Sequence, residues 1–191
     1  MKAAMLQIWD IDWYLDVEQC PCDVHLVEWL EHQHVRGKTL FHFGTGGHHH
    51  IGLANHANGT PNDILGITAS PKEFDAFVKL AIQHAELSRH YQVLFGDIYL
   101  LNKRLLPPID IASLFHLCEF RGDNQDAYGG LTDSGVVETL LEVIPTGGLI
   151  SLYTGSFAFD QADAIAKGLA AGGRLEQVES YKSLGFYRKI A

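Results

Sequence analysis

The order of apolar runs and capped helices constrains this 191-residue chain more than any other feature. Five short runs are apolar along nearly their whole length: TLFHF (39–43), DILGIT (63–68), YQVLF (91–95), IASLFHLCEF (111–120) and LISLYTG (149–155). Helical patterns separate most of them. Continuous hydrophobicity marks strands buried on both faces, and their alternation with helices marks a parallel sheet covered on both sides. Right-handed crossovers make that an open, doubly wound sheet. Two runs in direct succession at the end, RLEQVESY and LGFYRKI, predict an antiparallel finish. The expected fold is therefore α/β: a mostly parallel, doubly wound sheet of seven strands with a C-terminal antiparallel hairpin. One domain is expected over residues 1–191, with 1–22 as an N-terminal extension.

The helices read from their punctuation. SPKEFDAFVKLAIQHAELSRH is the clearest, with Ser70 as cap, Pro71 at the first helical position and Glu73 completing a capping box. DVHLVEWLEHQH is expected to be capped by Asp23, DSGVVETLLEVI ends at Pro145, and DQADAIAKGLAAGG is expected to be capped by Asp160. HHHIGLANHA is a weaker helix, and Asn58-Gly59-Thr60-Pro61 is a turn.

Composition excludes several function classes. A net charge of −9 argues against a nucleic-acid surface, which needs clustered Lys and Arg. The N-terminus lacks the h-region of a signal peptide, and no apolar run reaches the ~18–20 residues of a membrane span. Three cysteines, Cys20, Cys22 and Cys118, make no disulfide framework and suit a reducing compartment. The expectation is a cytoplasmic protein acting on a small molecule, with no nucleic-acid or membrane partner; a homo-oligomer is left open.

Ligands of such sheets bind beyond the carboxyl ends of the strands. That rule selects Gly44 to His48, Thr68 to Ser70, Gly96 to Ile98 and Glu119 to Gly122. FHFGTGGHHH (41–50) is the densest of these. Gly44 and Gly46 permit a tight turn and a close backbone approach, and the helix that follows offers free N–H groups. Glu119 follows an apolar run at the cleft edge, where a general base would stand. Consecutive histidines point in different directions, so His48, His49 and His50 cannot all converge, even with His42 and His56 nearby. No metal site is expected. Cys20-Pro21-Cys22 reads as an ordinary loop, with metal binding or redox pairing as the alternatives. Cys118 and His116 read as core residues of the fourth strand, and Trp9, Trp13 and Tyr14 as packing of the N-terminal segment, with closure over the substrate pocket as the alternative.

Five strand–helix units and a terminal hairpin resemble the order of class I S-adenosylmethionine-dependent methyltransferases, over roughly residues 23–190. FHFGTGG is similar to the family's first motif, GITASPKEF to its second strand end, LFGDIYLL to its third and FHLCEF to its fourth. The resemblance implies a Rossmann-like methyltransferase fold and S-adenosylmethionine as cofactor. It implies that Gly44, Thr45, Gly46, Gly47 and His48 hold the methionine part, Thr68 faces the ribose, Asp97 and Ile98 contact adenine, and Glu119 serves catalysis. Two positions depart from the family: His42 replaces the acid of the first motif and Thr68 the ribose-binding acid. On that reading Thr68→Asp restores a charge-assisted hydrogen bond and tightens cofactor binding about tenfold. Two rivals accompany methyl transfer: a non-catalytic binding protein with the same fold, and a metal-dependent enzyme using the His-rich turn.

Overall fold

The computed structural model describes residues 5–58 and 61–191. Its elements follow in the order α1 (Cys22–His32), β1 (Thr39–Phe43), α2 (His50–Ala57), β2 (Asp63–Thr68), α3 (Pro71–Gln83), β3 (Tyr91–Phe95), β4 (Ile111–Ser113), α4 (Asp123–Ala127), α5 (Asp133–Leu141), β5 (Leu149–Tyr153), α6 (Phe159–Ala171), β6 (Leu175–Tyr181) and β7 (Leu184–Lys189). Part of the turn expected at 58–61 lies outside the described residues.

The strands form a seven-stranded sheet in the order β3-β2-β1-β4-β5-β7-β6. β1 lies parallel to β2 with Thr39 opposite Asp63, and parallel to β4 with Leu40 opposite Ile111. β7 is antiparallel to both β5 and β6. The expected fold is the observed one, including the terminal hairpin. The chain reverses direction across the sheet between β1 and β4, so the crevice at their carboxyl ends is the switch point where ligands of open sheets bind.

Residue alternation divides the core. Phe41, Phe43, Ala112 and Ile150 face a cluster with Val136, Leu140, Ala162 and Ala166 of α5 and α6. Leu40, Ile64, Val93 and Ile111 face Leu26, Trp29, Ile51 and Phe77 of α1, α2 and α3. Trp29 stacks on Phe186 at 4.3 Å between centroids, which seats α1 on β7.

Several boundaries differ from expectation: α3 ends at Gln83 and β5 at Tyr153, each earlier than its pattern runs. The fourth strand stops at Ser113: Leu114 N–H still donates to Ser151 O, but Leu117 then bonds back to Leu114 and Glu119 to His116, closing two turns. Cys118 sits at φ +72° in the second turn, not in a strand, and its N–H donates to Asp133 Oδ1. Asp23 is not the cap of α1. Pro21 holds that position, while Asp23 lies buried in the first turn with its carboxylate aimed at Cys22, His42 and His48. Ala158, not Asp160, precedes α6.

Candidate functional site

The glycine turn is built as its residues require. Gly44 and Gly46 take φ +85° and +56°, the left-handed region open to glycine. The space a ligand would enter is filled from within the chain. A Cβ at Gly46 would lie 2.3 Å from His48 Nε2, and one at Gly47 would lie 1.8 Å from Asp12 Oδ1. Gly47 N–H already donates to Trp13 O at 3.0 Å.

Residues 7–16 lie as a strap across the carboxyl ends of the strands. Trp9 N–H donates to Ala69 O, Ser70 Oγ to Ile11 O, and Lys72 Nζ to Asp10 O. Trp9 and Trp13 both meet the Phe120 ring edge-on, at 5.1 and 5.7 Å. A cavity of about 230 Å³ remains beside the strap, lined by Gln7, Trp9 and residues 119–125. Small-molecule pockets run from roughly 300 to 1,000 Å³.

The other expected contacts are also engaged. Asp97 accepts from Tyr99 N–H at 3.0 Å, from Gln125 Nε2 at 3.1 Å and from the Tyr128 hydroxyl. Ile98 is buried in the core and does not face the crevice. Thr68 Oγ1 donates to Glu73 Oε2 at 2.6 Å and accepts from Ser70 N–H, and Thr45 Oγ1 donates to the same Glu73 oxygen. Only half of the expected capping box forms. Ser70 Oγ accepts from Glu73 N–H, but the Glu73 side chain turns away to the two threonines. A buried carboxylate thus stands at the end of β2 after all, supplied by α3. Burial raises its pKa against the pull of those two hydrogen bonds.

S-adenosylmethionine, which the fold implies, does not fit these residues as they stand. The turn is packed by Asp12 and His48, its Gly47 amide is spent on the strap, and Asp97 is buried and already accepts three hydrogen bonds from within the chain. Gly47→Ala tests how firmly the strap is held. The clash is with the end of a flexible side chain, so the fold should lose no more than about 1 kcal/mol. Hydrogen exchange at Gly47, by contrast, should accelerate as Trp13 O withdraws; unchanged protection would show that Asp12 does not hold the strap.

The most reactive side chains gather on the α1 side of the β1–β4 edge. Cys20 Sγ lies 3.5 Å from Cys22 Sγ and 3.8 Å from His116 Nε2. His116 Nδ1 lies 3.1 Å from Glu119 Oε2, and Ser156 Oγ donates to Glu119 Oε1 at 2.5 Å. Asp23 sits beneath, with Oδ1 3.6 Å from Cys22 Sγ. His42 is buried, bonded through Nδ1 to Ser113 Oγ, while its Nε2 faces Asp23 Oδ1 from 3.7 Å without a hydrogen-bond partner.

Charges in this cluster depend on one another. Hydrogen bonding from Cys22, reinforced by His116, lowers the Cys20 thiol to about 5 against the opposing effect of burial. Burial pulls His116 down, but its bonds to Cys20 and Glu119 outweigh that and lift it to about 10. Burial pushes Glu119 up, while His116 and Ser156 hold it below the usual carboxylate range. Burial lowers His42 to about 3 and raises Asp23 to about 7. Glu119 therefore stands as an ionised partner of an imidazolium. That arrangement orients His116 and leaves Glu119 poorly suited to remove a proton itself. Such a thiol–imidazole–carboxylate line can ligate a metal or activate a thiolate.

Of the residues singled out from sequence, Glu119 lies in this cluster and the glycine turn lies at the crevice. Sequence reasoning read the C-x-C as a loop and His116 as core, because their convergence spans 96 residues of separation. It also missed Asp12 and Glu73, which reach the crevice from elements read as packing and as a cap.

No family model matches the chain, and no curated protein matches it. Solved structures do. An S-adenosylhomocysteine-bound methyltransferase, PaMTH1 from Podospora anserina, superposes with a TM-score of 0.62 at 14% identity, over 88% of this chain and 78% of that one. TrmN from Thermus thermophilus gives 0.57 at 18% identity, over 86% of this chain and 48% of its own. The [4+2]-cyclase SpnF gives 0.59 at 17% identity, over 93% and 65%. The chain spans about half the length of TrmN and just under two thirds of SpnF. It has the class I S-adenosylmethionine-dependent methyltransferase fold. Among the described residues, no helix is long and apolar enough to cross a membrane.

Proposed function

We propose that this is a methyltransferase-like protein whose cofactor crevice is held shut by its own N-terminal strap, and that in this form it does not bind S-adenosylmethionine. The observation that carries the reading is the filled glycine turn, with Asp12 against Gly47, His48 against Gly46, and the Gly47 amide donated to Trp13 O. A fold does not fix a reaction, and here the resemblance in architecture exceeds the resemblance in binding groups. The cavity bordered by Glu119 and Phe120 would then take a small ligand other than the nucleoside, in a reducing compartment that suits three free cysteines.

One observation favours a second reading, S-adenosylmethionine-dependent methyl transfer to a small molecule. Glu73 restores a carboxylate at the end of β2, near where the ribose-binding acid is otherwise missing. That reading requires the strap to lift.

Calorimetric titration of the full chain with S-adenosylmethionine and S-adenosylhomocysteine separates the two. No binding is expected up to about 1 mM, which corresponds to about −4 kcal/mol. Submillimolar binding of either compound would overturn the closed-crevice reading in favour of the enzyme.

A further inference from the structure

We propose that Cys20, Cys22 and His116 form a binding site for one divalent transition-metal ion of the zinc class. The site is independent of whether the crevice takes a nucleoside. Three donor atoms from two distant parts of the chain, two thiol sulfurs and an imidazole Nε2, lie within 4.8 Å of one another. Zinc prefers sulfur at ~2.3 Å and nitrogen at ~2.0–2.1 Å in tetrahedral geometry, which sets ligand–ligand edges of about 3.8 Å for S–S and 3.5 Å for S–N. The sulfurs stand 3.5 Å apart, and Cys20 Sγ stands 3.8 Å from His116 Nε2. Those two edges match a tetrahedral ion to within a few tenths of an ångström, and the third, from Cys22 Sγ to His116 Nε2, closes the triangle within 4.8 Å.

The surroundings fit a metal as well as the donors do. His116 presents Nε2 to the thiols because Nδ1 is held by Glu119 at 3.1 Å, and Glu119 is held in turn by Ser156. A carboxylate on the far nitrogen is the usual outer partner of a ligating histidine, fixing its tautomer and ring angle. Cys22 is buried and Cys20 half-buried, so the site is shielded yet reachable. The polar groups around the triangle are not fully satisfied. The buried His42 Nε2 faces Asp23 Oδ1 at 3.7 Å, next to Cys22, with no hydrogen bond of its own. A buried polar atom left in this state costs free energy unless a group or an ion satisfies its neighbourhood. Asp23 lies outside the tight triangle, so these three side chains leave the fourth position of a tetrahedral ion unfilled. Two cysteines, one histidine and an open position form a donor set used by zinc in catalysis. Coordination needs both sulfurs as thiolates and His116 Nε2 without its proton, so whatever protons these three atoms carry pass to the buffer while Nδ1–H stays on Glu119.

The test uses the full chain, reduced and stripped with a chelator. Titration with Zn²⁺ against a competing chelator should give one ion per chain with submicromolar affinity. Co²⁺ should produce thiolate charge-transfer and tetrahedral d–d absorption. Cys20→Ser and His116→Gln should each weaken zinc binding at least about 100-fold, in line with loss of a ligand or its support, whereas His50→Ala should leave it unchanged. Cys20→Ser is nearly isosteric at a half-buried position, so its metal-free melt should match that of metal-free wild type, which separates lost ligation from lost folding. Zinc binding that survives Cys20→Ser, Co²⁺ spectra without thiolate bands, or stripped protein that binds no zinc while Cys20 and Cys22 remain titratable as free thiols would each overturn the proposal.

Discussion

Thr68→Asp is expected to destabilise the protein by about 3 kcal/mol at neutral pH, a fall in melting temperature of roughly 6–12 °C for a chain of this size. From sequence alone the same change restores a missing acid and tightens cofactor binding. The structure reverses that expectation because the acid is already present. Thr68 is buried, and its hydroxyl is the donor in a 2.6 Å bond to Glu73 while accepting the Ser70 amide. Aspartate keeps the reach and loses the donor. A hydrogen bond to a charged group contributes about 1.5–3 kcal/mol. The replacement also sets one carboxylate against another, so that one of them must hold a proton, its folded pKa raised above its unfolded value. A carboxyl with a raised folded pKa contributes its stability below the unfolded pKa and loses it as pH rises through the folded one. The deficit should therefore be small at pH 4 and largest above pH 7, in urea melts at both. Thr68→Ser, which keeps the hydroxyl, should stay within about 1 kcal/mol of wild type. A Thr68→Asp variant as stable as wild type at pH 7.5 would show that Glu73 does not occupy the end of β2.

The same residue shows where sequence is legible and where it stops. The seven strands, their mostly parallel arrangement and the terminal hairpin follow from the apolar runs, since burial on both faces leaves a pattern that local reading detects. The α3 start was legible because Ser70 and Pro71 act within one turn. The site was legible only as an address: the carboxyl ends of the strands hold Gly44 to Gly47, Thr68, Asp97 and Glu119, as topology dictates. What occupies that address depends on partners far away in the chain. Asp12 reaches Gly47 across 35 positions, and Tyr128 reaches Asp97 across 31. No periodicity encodes such contacts. The fourth strand misled for a different reason. LFHLCEF is apolar enough to be a strand, but the same burial is achieved by two turns in which Leu114, Phe115 and Leu117 pack in the core while His116 and Glu119 turn to the cluster. Hydrophobicity reports burial there and says nothing about backbone shape.

His49→Ala is expected to cost about 3–4 kcal/mol, while His50→Ala should stay within about 0.5 kcal/mol. The three histidines look alike in the sequence and differ sharply in the fold. His49 is buried and sits at φ +45°, a conformation that a side chain adopts at a cost of about 1–2 kcal/mol unless its contacts enforce it. Two contacts do. Its Nε2 lies 3.0 Å from Glu73 O, where only a donor suits, and its Nδ1 lies 2.8 Å from the Tyr91 hydroxyl. The ring is therefore neutral, protonated on Nε2 and accepting from Tyr91, in keeping with burial lowering its pKa. Alanine leaves the buried Tyr91 hydroxyl without a partner, opens a cavity against Phe77 and Tyr91, and retains the backbone strain. A histidine with a lowered folded pKa contributes its stability above the unfolded value near 6.5 and loses it as pH falls through the folded one. The gap between His49→Ala and wild type should thus narrow from pH 7.5 to pH 5. A double-mutant cycle with Tyr91→Phe should recover about 1 kcal/mol or more of coupling, because the two residues share one hydrogen bond. If His49→Ala melts within 1 kcal/mol of wild type and the cycle is additive, the ring does not tie α2 to β3 and α3, and the turn carrying Gly44 to His48 owes its shape to the strap alone.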